Sequence, residues 1–231
     1  MTTEEFSTGF DTLISNRLTS SSSFGEEEPL SFNEYEKSYF LTKSQIGLVR
    51  ELYAGGPIGS FEATEELRRA LFSLVDSITL TPYIPNDALT LYSYYVTLPS
   101  QVMYIVYEQA EFEDSNPCIN GKRVKVTPVT HDSLNIVLDN PFRGPSENRV
   151  LRVDSNLNNG IIELISAYNL SKYTIRFLKK PTPIILTDLG EESIDGVNIK
   201  SECILSPMLH HIILEKAVEL ALQSRVGNTA K

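Results

Sequence analysis

The sequence predicts an α+β fold in which a helical bundle carries an inserted antiparallel β-subdomain and a tethered N-terminal helix. Apolar residues recur at helical spacing from Phe6 to Val75 and again after Ser206, which indicates amphipathic helices at both ends of the chain. Between Ile78 and Val129 the apolar period changes to two residues, which indicates strands. Hydrophobic residues make up 41% of the 231 residues, enough to fill a substantial core.

Composition and charge exclude several classes of protein. The formal net charge of −10, from 20 basic and 30 acidic residues, argues against a surface that binds nucleic acid tightly by neutralising phosphates. No apolar run approaches the ~20 residues of a membrane span, and the first ten residues include Glu4 and Glu5 where a signal peptide needs basic residues. Cys118 and Cys203 are far apart and are predicted to be unpaired thiols. We therefore expect no membrane partner and no redox chemistry.

Residues 1–29 are predicted to form a segment separate from the globular part, residues 30–231. A short amphipathic helix is expected from about Thr3 to Arg17, because apolar residues fall there at helical spacing: Phe6, Phe10, Leu13, Ile14 and Leu18. The polar run Thr19–Ser23, three glutamates and Pro29 then have the composition of a flexible linker. The helix is therefore expected to dock on a neighbouring subunit rather than in the core of its own chain.

A helical hairpin is predicted over residues 33–76. Asn33 and Glu36 have the spacing of a capping box, and Gly55-Gly56-Pro57 ends the helix that follows. Ser60 can cap a second helix, with Glu62 in its first turn. The apolar positions that mark the two helices are Tyr35, Tyr39, Ile46, Val49 and Tyr53, then Leu67, Ala70, Leu71, Leu74 and Val75.

The β-rich part is predicted over residues 77–186. Alternating apolar positions indicate its first strands: Leu89, Leu91, Met103, Ile105, Tyr107, Val124 and Val126. Asn120-Gly121 is a hairpin-turn signal. Thr130 can cap a helical turn through Leu138, and the Pro- and Gly-containing loop Asp139–Pro145 is expected to be ordered. Three further strands are predicted at Arg149–Val153, Ile161–Ser166 and Tyr173–Leu178.

The chain is predicted to end in a packed helix over residues 206–224. Ser206 can cap it, and Pro207 suits its first position. Its apolar arc comprises Ile213, Leu214, Ala217, Val218, Leu220 and Ala221, and its polar arc His211, Glu215, Glu219 and Gln223. A Pro-Thr-Pro corner followed by Ile184, Ile185 and Leu186 predicts a rigid turn into a packed apolar segment upstream.

The sequence carries no recognised enzyme motif, and we predict no catalytic residue, no cofactor and no metal site. His210 and His211 are adjacent, so their side chains diverge by about 100° on a helix and do not ligate one ion as an i, i+4 pair would. His210 is expected to be a hydrogen-bonded core or interface histidine, His211 to pair with Glu215, and His131 to lie in the first turn of its helix. Lys179-Lys180 is expected to flank a strand end.

Four stretches together resemble one family of proteins. They are NEYEKSYFLTKSQ (33–45), VTPVTHDSLNIVLDNPFRGP with RVLRV (126–145 and 149–153), YTIRFLKKPTPIIL (173–186) and IDGVNIKSECILSPMLHHIILEKAVELAL (194–222). In this order they resemble the head-to-tail adaptor, or ring, proteins of short-tailed phages, and most closely those of crAss-like phages. The resemblance covers most of the chain from Asn33 onward.

The resemblance implies a non-enzymatic virion protein, made in the host cytoplasm, that joins head to tail at one capsid vertex. It implies a homo-oligomeric ring, expected to be a 12-mer, with the portal protein and a neighbouring tail ring or tail-tube protein as partners. The ring would pass DNA during genome ejection without binding it specifically. Two other hypotheses remain open from sequence: a tail-associated hydrolase with a cryptic carboxylate site, and a cellular α+β binding module.

Overall fold

The computed structural model of the chain describes residues 1–21, 31–55, 65–84, 93–156 and 160–226. The chain forms two units, a helical unit of Met1–Leu74 with Lys180–Lys231 and a sheet unit of Val75–Lys179. Five α-helices and seven strands lie within the described ranges, which confirms the mixed α+β class. None of the described helices combines the length and apolar character needed to cross a membrane.

The helical unit contains four of the helices. These are α1 (Thr3–Ser21), α2 (Glu34–Ala54), α3 (Glu65–Leu71) and α5 (His210–Val226), with 3₁₀ turns at Phe72–Leu74 and Pro207–Leu209. α5 packs against both α2 and α1. Its predicted arc is confirmed at Ile213, Leu214, Ala217, Val218 and Ala221, which are buried, while Leu220 is half-buried. The polar arc is exposed, as predicted.

The predicted capping box at the start of α2 is confirmed. The Asn33 side-chain oxygen accepts from the Glu36 amide at 2.7 Å, and the Glu36 carboxylate accepts from the Asn33 amide at 3.0 Å. Gly55 ends the helix with φ 79°, a left-handed conformation that favours glycine. The second predicted helix is shorter than expected, because α3 ends at Leu71 and a strand begins at Val75. Its predicted start at Ser60 and Glu62 lies outside the described residues.

The expectation that α1 does not pack in the core of its own chain is wrong. Phe6, Phe10 and Ile14 of α1 are at most 2% exposed. The Nζ atom of Lys37 on α2 also lies 2.7 Å from Oδ2 of Asp11 on α1. The polar linker led to the wrong expectation because its composition carries no information about where the preceding helix binds. Most of that linker, residues 22–30, lies outside the described residues.

Two hydroxyl groups one turn apart on α2 hold the apolar segment that returns to the helical unit. Ser38 accepts from the Leu186 amide at 3.1 Å, and Thr42 accepts from the Ile184 amide at 3.1 Å. Ile185, which lies between these two residues, pairs with Ser201 through two backbone hydrogen bonds, each 3.0 Å long. All three residues of the 184–186 segment are buried, which confirms the predicted packed segment. These side-chain bonds satisfy backbone groups that would otherwise be buried without partners.

The sheet unit is built on one seven-stranded sheet. Its strands are β1 (Val75–Leu80), β2 (Ser93–Thr97), β3 (Val102–Phe112), β4 (Arg123–Pro128), β5 (Arg149–Asn156), β6 (Ile161–Ile165) and β7 (Leu170–Lys179), in the spatial order β1-β7-β3-β4-β5-β6-β2. The prediction of a purely antiparallel sheet is wrong, because β4 and β5 are parallel. Helix α4 (His131–Leu138) and its following loop provide the crossover that a parallel pair requires. Lys179 ends β7, as predicted.

Both faces of this sheet carry buried apolar residues. The larger cluster includes Val124, Val150, Ile175 and Phe177 on one face. On the other face, Leu151, Val153 and Ile165 pack beneath Leu134, Val137 and Leu138 of α4 and Val129. Asn120-Gly121 forms a turn, as predicted, and Gly121 has a φ of 73°. This turn ends a long loop between β3 and β4 and is not a two-residue hairpin. The predicted strand positions Leu89 and Leu91 lie outside the described residues.

Candidate assembly surfaces

His210 is a buried, hydrogen-bonded histidine, as predicted. Its Nε2 atom lies 3.0 Å from the Leu205 carbonyl oxygen, and its Nδ1 atom lies 2.7 Å from the Met1 amino group. The Phe6 ring packs against it at a centroid distance of 5.4 Å. Burial lowers the pKa of His210, more than the hydrogen bond to Leu205 raises it. A neutral ring that donates from Nε2 and accepts at Nδ1 matches both partners.

The remaining candidate residues do not converge on a reactive site. His131 begins α4, as predicted, and its Nε2 atom lies 2.8 Å from the Asp154 carbonyl oxygen. Cys118 and Cys203 are both free thiols, and burial raises the pKa of Cys203. Within the ranges that the structure describes, no three His, Cys, Asp or Glu side chains are placed to hold a metal ion.

A buried charged cluster in the sheet unit has the residue types of a catalytic site, but its groups bond one another. One carboxylate oxygen of Glu108 on β3 accepts from Arg152 on β5, and the other accepts from the Tyr173 hydroxyl on β7 at 2.7 Å. Burial raises the pKa of Glu108 despite the opposing charge of Arg152. Arg152 also lies 3.2 Å from Asp154. The cluster therefore joins three strands across the sheet, which is a structural role.

The loop after α4 presents an aromatic side chain to solvent. Phe142 is 88% exposed, the largest exposure among the large apolar side chains that the structure describes. Ile136, on the preceding helix, is 71% exposed. We call residues 136–145 the Phe142 knob. Two large apolar groups so close in sequence and so exposed are typical of anchor residues that a partner buries.

Hydrogen bonds from side chains and backbone groups fix the conformation of the Phe142 knob, which agrees with the prediction of an ordered loop. The Asn140 side-chain oxygen accepts from the Phe142 amide at 2.9 Å, and the Asn140 carbonyl oxygen accepts from the Gly144 amide at 2.8 Å. Arg149 donates to the Phe142 carbonyl oxygen at 3.0 Å. A Cβ atom at Gly144 would lie 3.3 Å from the Asn140 carbonyl oxygen, so this turn favours glycine. Phe142 is thus held on a preorganised loop.

The helical unit contains an aromatic groove along α2, which we call the α2 groove. Its volume is about 550 Å³, and its lining includes Tyr35, Tyr39, Lys43, Ile46, Gly47, Arg50, Ile194, Asp195 and Leu220. Three of the five residues predicted to mark α2, Tyr35, Tyr39 and Ile46, therefore line this groove, whereas Val49 is buried in the core. The buried face of α2 is formed by Lys37, Ser38, Leu41, Thr42, Ser44, Gln45, Leu48 and Val49.

Charges of opposite sign lie on opposite walls of the α2 groove. Lys43 and Arg50 project from α2, and the Lys43 ammonium lies 5.9 Å from the centre of the Tyr39 ring. Asp195 occupies the other wall, in a tight turn where Asp195 and Gly196 both have positive φ, 52° and 80°. Its carboxylate lies 2.9 Å from Lys180. Tyrosine and arginine around an apolar centre are typical of protein interfaces.

A second groove lies between α1 and α5. Its volume is about 660 Å³, and its wall carries Glu4, Glu5 and Glu215 with Leu13 and Leu214. Gly9 lies at its base, where an added Cβ atom would be 2.9 Å from Leu214. A larger residue at position 9 would therefore require the Leu214 side chain to move.

These features define a class of protein: an α+β subunit that exposes ordered aromatic surfaces of the kind found at protein interfaces. The chain belongs to the phage tail ring protein 3/4 family, whose model matches residues 1–231. It is 44% identical to "Ring protein 3" of Bacteroides phage crAss001, over 99% of this chain and 98% of that relative. It is 28% identical to "Ring protein 4/5" of the same phage, over 99% and 95%. The resemblance to crAss-like phage ring proteins is confirmed, and the family implies a structural ring in the virion.

The sequence did not lead us to predict either candidate surface, the Phe142 knob or the α2 groove. It placed the tyrosines of α2 correctly on a helix but gave no sign that they are left outside the core. The signal for the knob was present, since Phe142 stands between Pro141 and Gly144 with no apolar periodicity around it. A large aromatic residue in a turn-forming stretch has no core position available to it, and it is therefore a candidate for exposure.

Proposed function

We propose that this chain forms a ring between the portal and the tail of a crAss-like phage virion, where it connects head to tail and passes the genome. The observation that carries the proposal is the match of the tail ring protein family to the whole chain, residues 1–231. The ring is expected to contain twelve copies, with the portal protein on one axial side and a neighbouring tail ring or tail-tube protein on the other. In this proposal the sheet unit is an insertion in a helical bundle that forms the framework of the subunit.

The physical requirements of a ring support the proposal. A cyclic ring is closed by heterologous contacts, so each subunit needs two different, complementary lateral surfaces and further axial surfaces. The Phe142 knob and the α2 groove are two different surfaces, one protruding and one concave. The exposed apolar residues Ile199 and Met208 offer further contact area for axial partners.

Charge supports passage of DNA rather than binding. With 20 basic and 30 acidic residues, the chain lacks the excess of Lys and Arg that neutralises phosphates and releases counterions. An acidic or neutral channel would repel the duplex and keep it mobile. We therefore infer a channel through which DNA moves without being held.

The rival functions have less support. A carboxylate-based hydrolase needs an acid and a base that face a substrate, whereas both oxygens of Glu108 are bonded to Arg152 and Tyr173. Both relatives are named ring proteins, which is consistent with a structural role and not with a cellular binding module.

Size-exclusion chromatography with light scattering, followed by negative-stain imaging, tests the proposal. The purified chain is measured alone and with the portal protein, because adaptors of this kind are expected to close into rings on the portal. Rings of about twelve copies, alone or on the portal, are the expected result. A chain that stays monomeric in both samples would contradict the proposed function.

A further inference from the structure

From the shape, chemistry and charge of the two surfaces we infer that the Phe142 knob of one subunit inserts into the α2 groove of the next copy of the same chain. This inference rests on the proposed function, because only a closed ring requires every copy to use both surfaces at once. The knob lies in the sheet unit and the groove in the helical unit, so the contact is heterologous, as ring closure requires.

Size and chemistry match between the two surfaces. The α2 groove has a volume of about 550 Å³ and aromatic walls formed by Tyr35 and Tyr39, which can receive one phenyl ring and one aliphatic side chain. Phe142 and Ile136 supply one of each. The hydrogen bonds of Asn140 hold the knob in one conformation, so little conformational entropy is lost on insertion.

The charges around the two surfaces are complementary in sign and order. Asp139 and Arg143 flank Phe142 on its two sides and are exposed. Lys43 and Arg50 stand on one wall of the groove, opposite Asp195 on the other. If Asp139 faces the α2 wall, Arg143 faces Asp195. Among the described residues, neither Asp139 nor Lys43 forms an ion pair, so both are available to a partner. Such an arrangement fixes the orientation of the contact.

Gly47 provides a second, independent observation. It lies in the middle of α2, on the wall of the groove, where glycine is less favourable than alanine for a helix. Apart from its two chain neighbours and the backbone of its own helix, no described atom lies within 4 Å of the position that its Cβ would occupy, in contrast to Gly9 in the α1–α5 groove. The chain itself therefore gives no reason for a glycine at position 47. Close approach of a partner loop to the helix backbone would account for this glycine.

Two variants each disable one surface at a position that lies outside the buried core of the monomer. Phe142→Ala removes the knob at an 88% exposed position, and Phe72→Ala, at a 76% exposed position in the helical unit, is its matched control. Gly47→Trp fills the groove at a position with free space, and Gly47→Ala is the smaller change at the same position. Circular dichroism melting of each variant verifies that the monomer is folded.

The decisive test is a mixing experiment under the conditions in which the wild-type chain forms rings. Phe142→Ala and Gly47→Trp should each fail to form rings, and Phe72→Ala should assemble like wild type. Gly47→Ala adds one methyl group where the partner loop approaches, so it should assemble less readily than wild type and more readily than Gly47→Trp. An equimolar mixture of the two failing variants retains one intact knob and one intact groove, so light scattering should show dimers that grow no further. A charge exchange gives an independent result. Lys43→Glu and Asp139→Lys should each raise the protein concentration needed for assembly at least tenfold, and the double variant should restore assembly near the wild-type concentration.

The outcomes separate this inference from the proposed function. If wild type forms rings and either Phe142→Ala or Gly47→Trp also forms them, the inference is overturned and the ring function stands. If the mixture yields no dimer, the two surfaces do not bind each other and the inference is likewise overturned. If wild type forms no ring with or without the portal, the proposed function fails, and the inference fails with it.

Discussion

The Nζ atom of Lys37 lies 2.7 Å from the Oδ2 atom of Asp11, and this ion pair joins α2 to α1. The Lys37 side chain is only 6% exposed, and its other partners are Glu34 at 2.9 Å and Ser7 at 3.1 Å. Burial by itself lowers the pKa of Lys37, but the hydrogen bonds and charges of Asp11 and Glu34 outweigh it and raise the pKa above its usual value. A buried ammonium group needs these partners, so the position of α1 is specified by charge as well as by apolar contact.

Removal of the Asp11 carboxylate should destabilise the chain through this contact. We expect Asp11→Ala to lower the free energy of unfolding by about 1 kcal/mol, a modest value because Asp11 is half exposed and Lys37 keeps Glu34. In a Lys37→Met background the same substitution should cost much less, because no buried charge is left to satisfy. A double-mutant cycle in urea measures the coupling, and equal effects in both backgrounds would show that the pair contributes nothing.

The apolar face of α1 should contribute more than its ion pair. Phe10 is fully buried, so Phe10→Ala should lower the free energy of unfolding by about 3–5 kcal/mol through loss of burial and formation of a cavity. Phe72→Ala removes the same group at an exposed position and should change stability by less than ~0.5 kcal/mol. Urea denaturation of the two variants measures the difference. Similar small effects would mean that α1 is not part of the core.

The face of α5 can be tested in the same way. Ile213 is fully buried, and Ile213→Ala should cost about 2–5 kcal/mol. Glu219→Ala, on the exposed arc, should change stability by less than ~0.5 kcal/mol. Leu220 is half-buried in the α2 groove, so Leu220→Ala should fall between the two. An effect at Glu219 as large as that at Ile213 would show that the helix is rotated about its axis.

His210 should make stability depend on pH. Its folded pKa is lowered below the ordinary value of 6.5, mainly by burial, so the unfolded chain binds the proton more readily. The stability due to neutral His210 is therefore present above pH 6.5 and is lost as the pH falls from 6.5 through the folded pKa. Urea denaturation from pH 7.5 to about pH 5 should show this loss, and His210→Gln should reduce the slope. An unchanged slope in His210→Gln would assign the effect to other groups.

The assembled ring should bind duplex DNA poorly. We expect an affinity weaker than the ~10⁻⁴ to 10⁻⁶ M typical of non-specific binding at physiological salt, because few basic residues are available to neutralise phosphates. Fluorescence anisotropy of labelled duplex, titrated with rings at low and at physiological salt, measures this. Tight binding that disappears with added salt would show that the 20 basic residues of each chain are clustered along the channel. Such a result would contradict the proposed passage of DNA.

Local signals in the sequence predicted most of the secondary structure. The ends of α2 were predictable because Asn33 and Gly55 act through hydrogen bonds and backbone angles within a few residues. The buried face of α5 was predictable because its apolar residues repeat with the helix period. Strands β5, β6 and β7 were predicted within a few residues because apolar residues alternate along them with a period of two.

Features that depend on distant contacts were not predictable. The parallel pairing of β4 with β5 is decided by where α4 packs on the sheet, and no periodicity within either strand distinguishes it from antiparallel pairing. The ion pair that helps to position α1 involves Lys37, which lies 26 residues beyond Asp11. The α2 groove exists because Tyr35 and Tyr39 remain uncovered beside the 193–195 segment, a relation that the sequence of α2 alone does not contain.

Cryo-electron microscopy of the virion neck tests the central claim most directly. A reconstruction of the portal vertex, with the helical and sheet units of this chain fitted separately, identifies where the chain lies and how its copies meet. The predicted result is a closed ring of about twelve copies of this fold between the portal and the tail, around a channel wide enough for duplex DNA. A neck in which no ring fits this fold, or in which the chain lies elsewhere in the virion, would contradict the account.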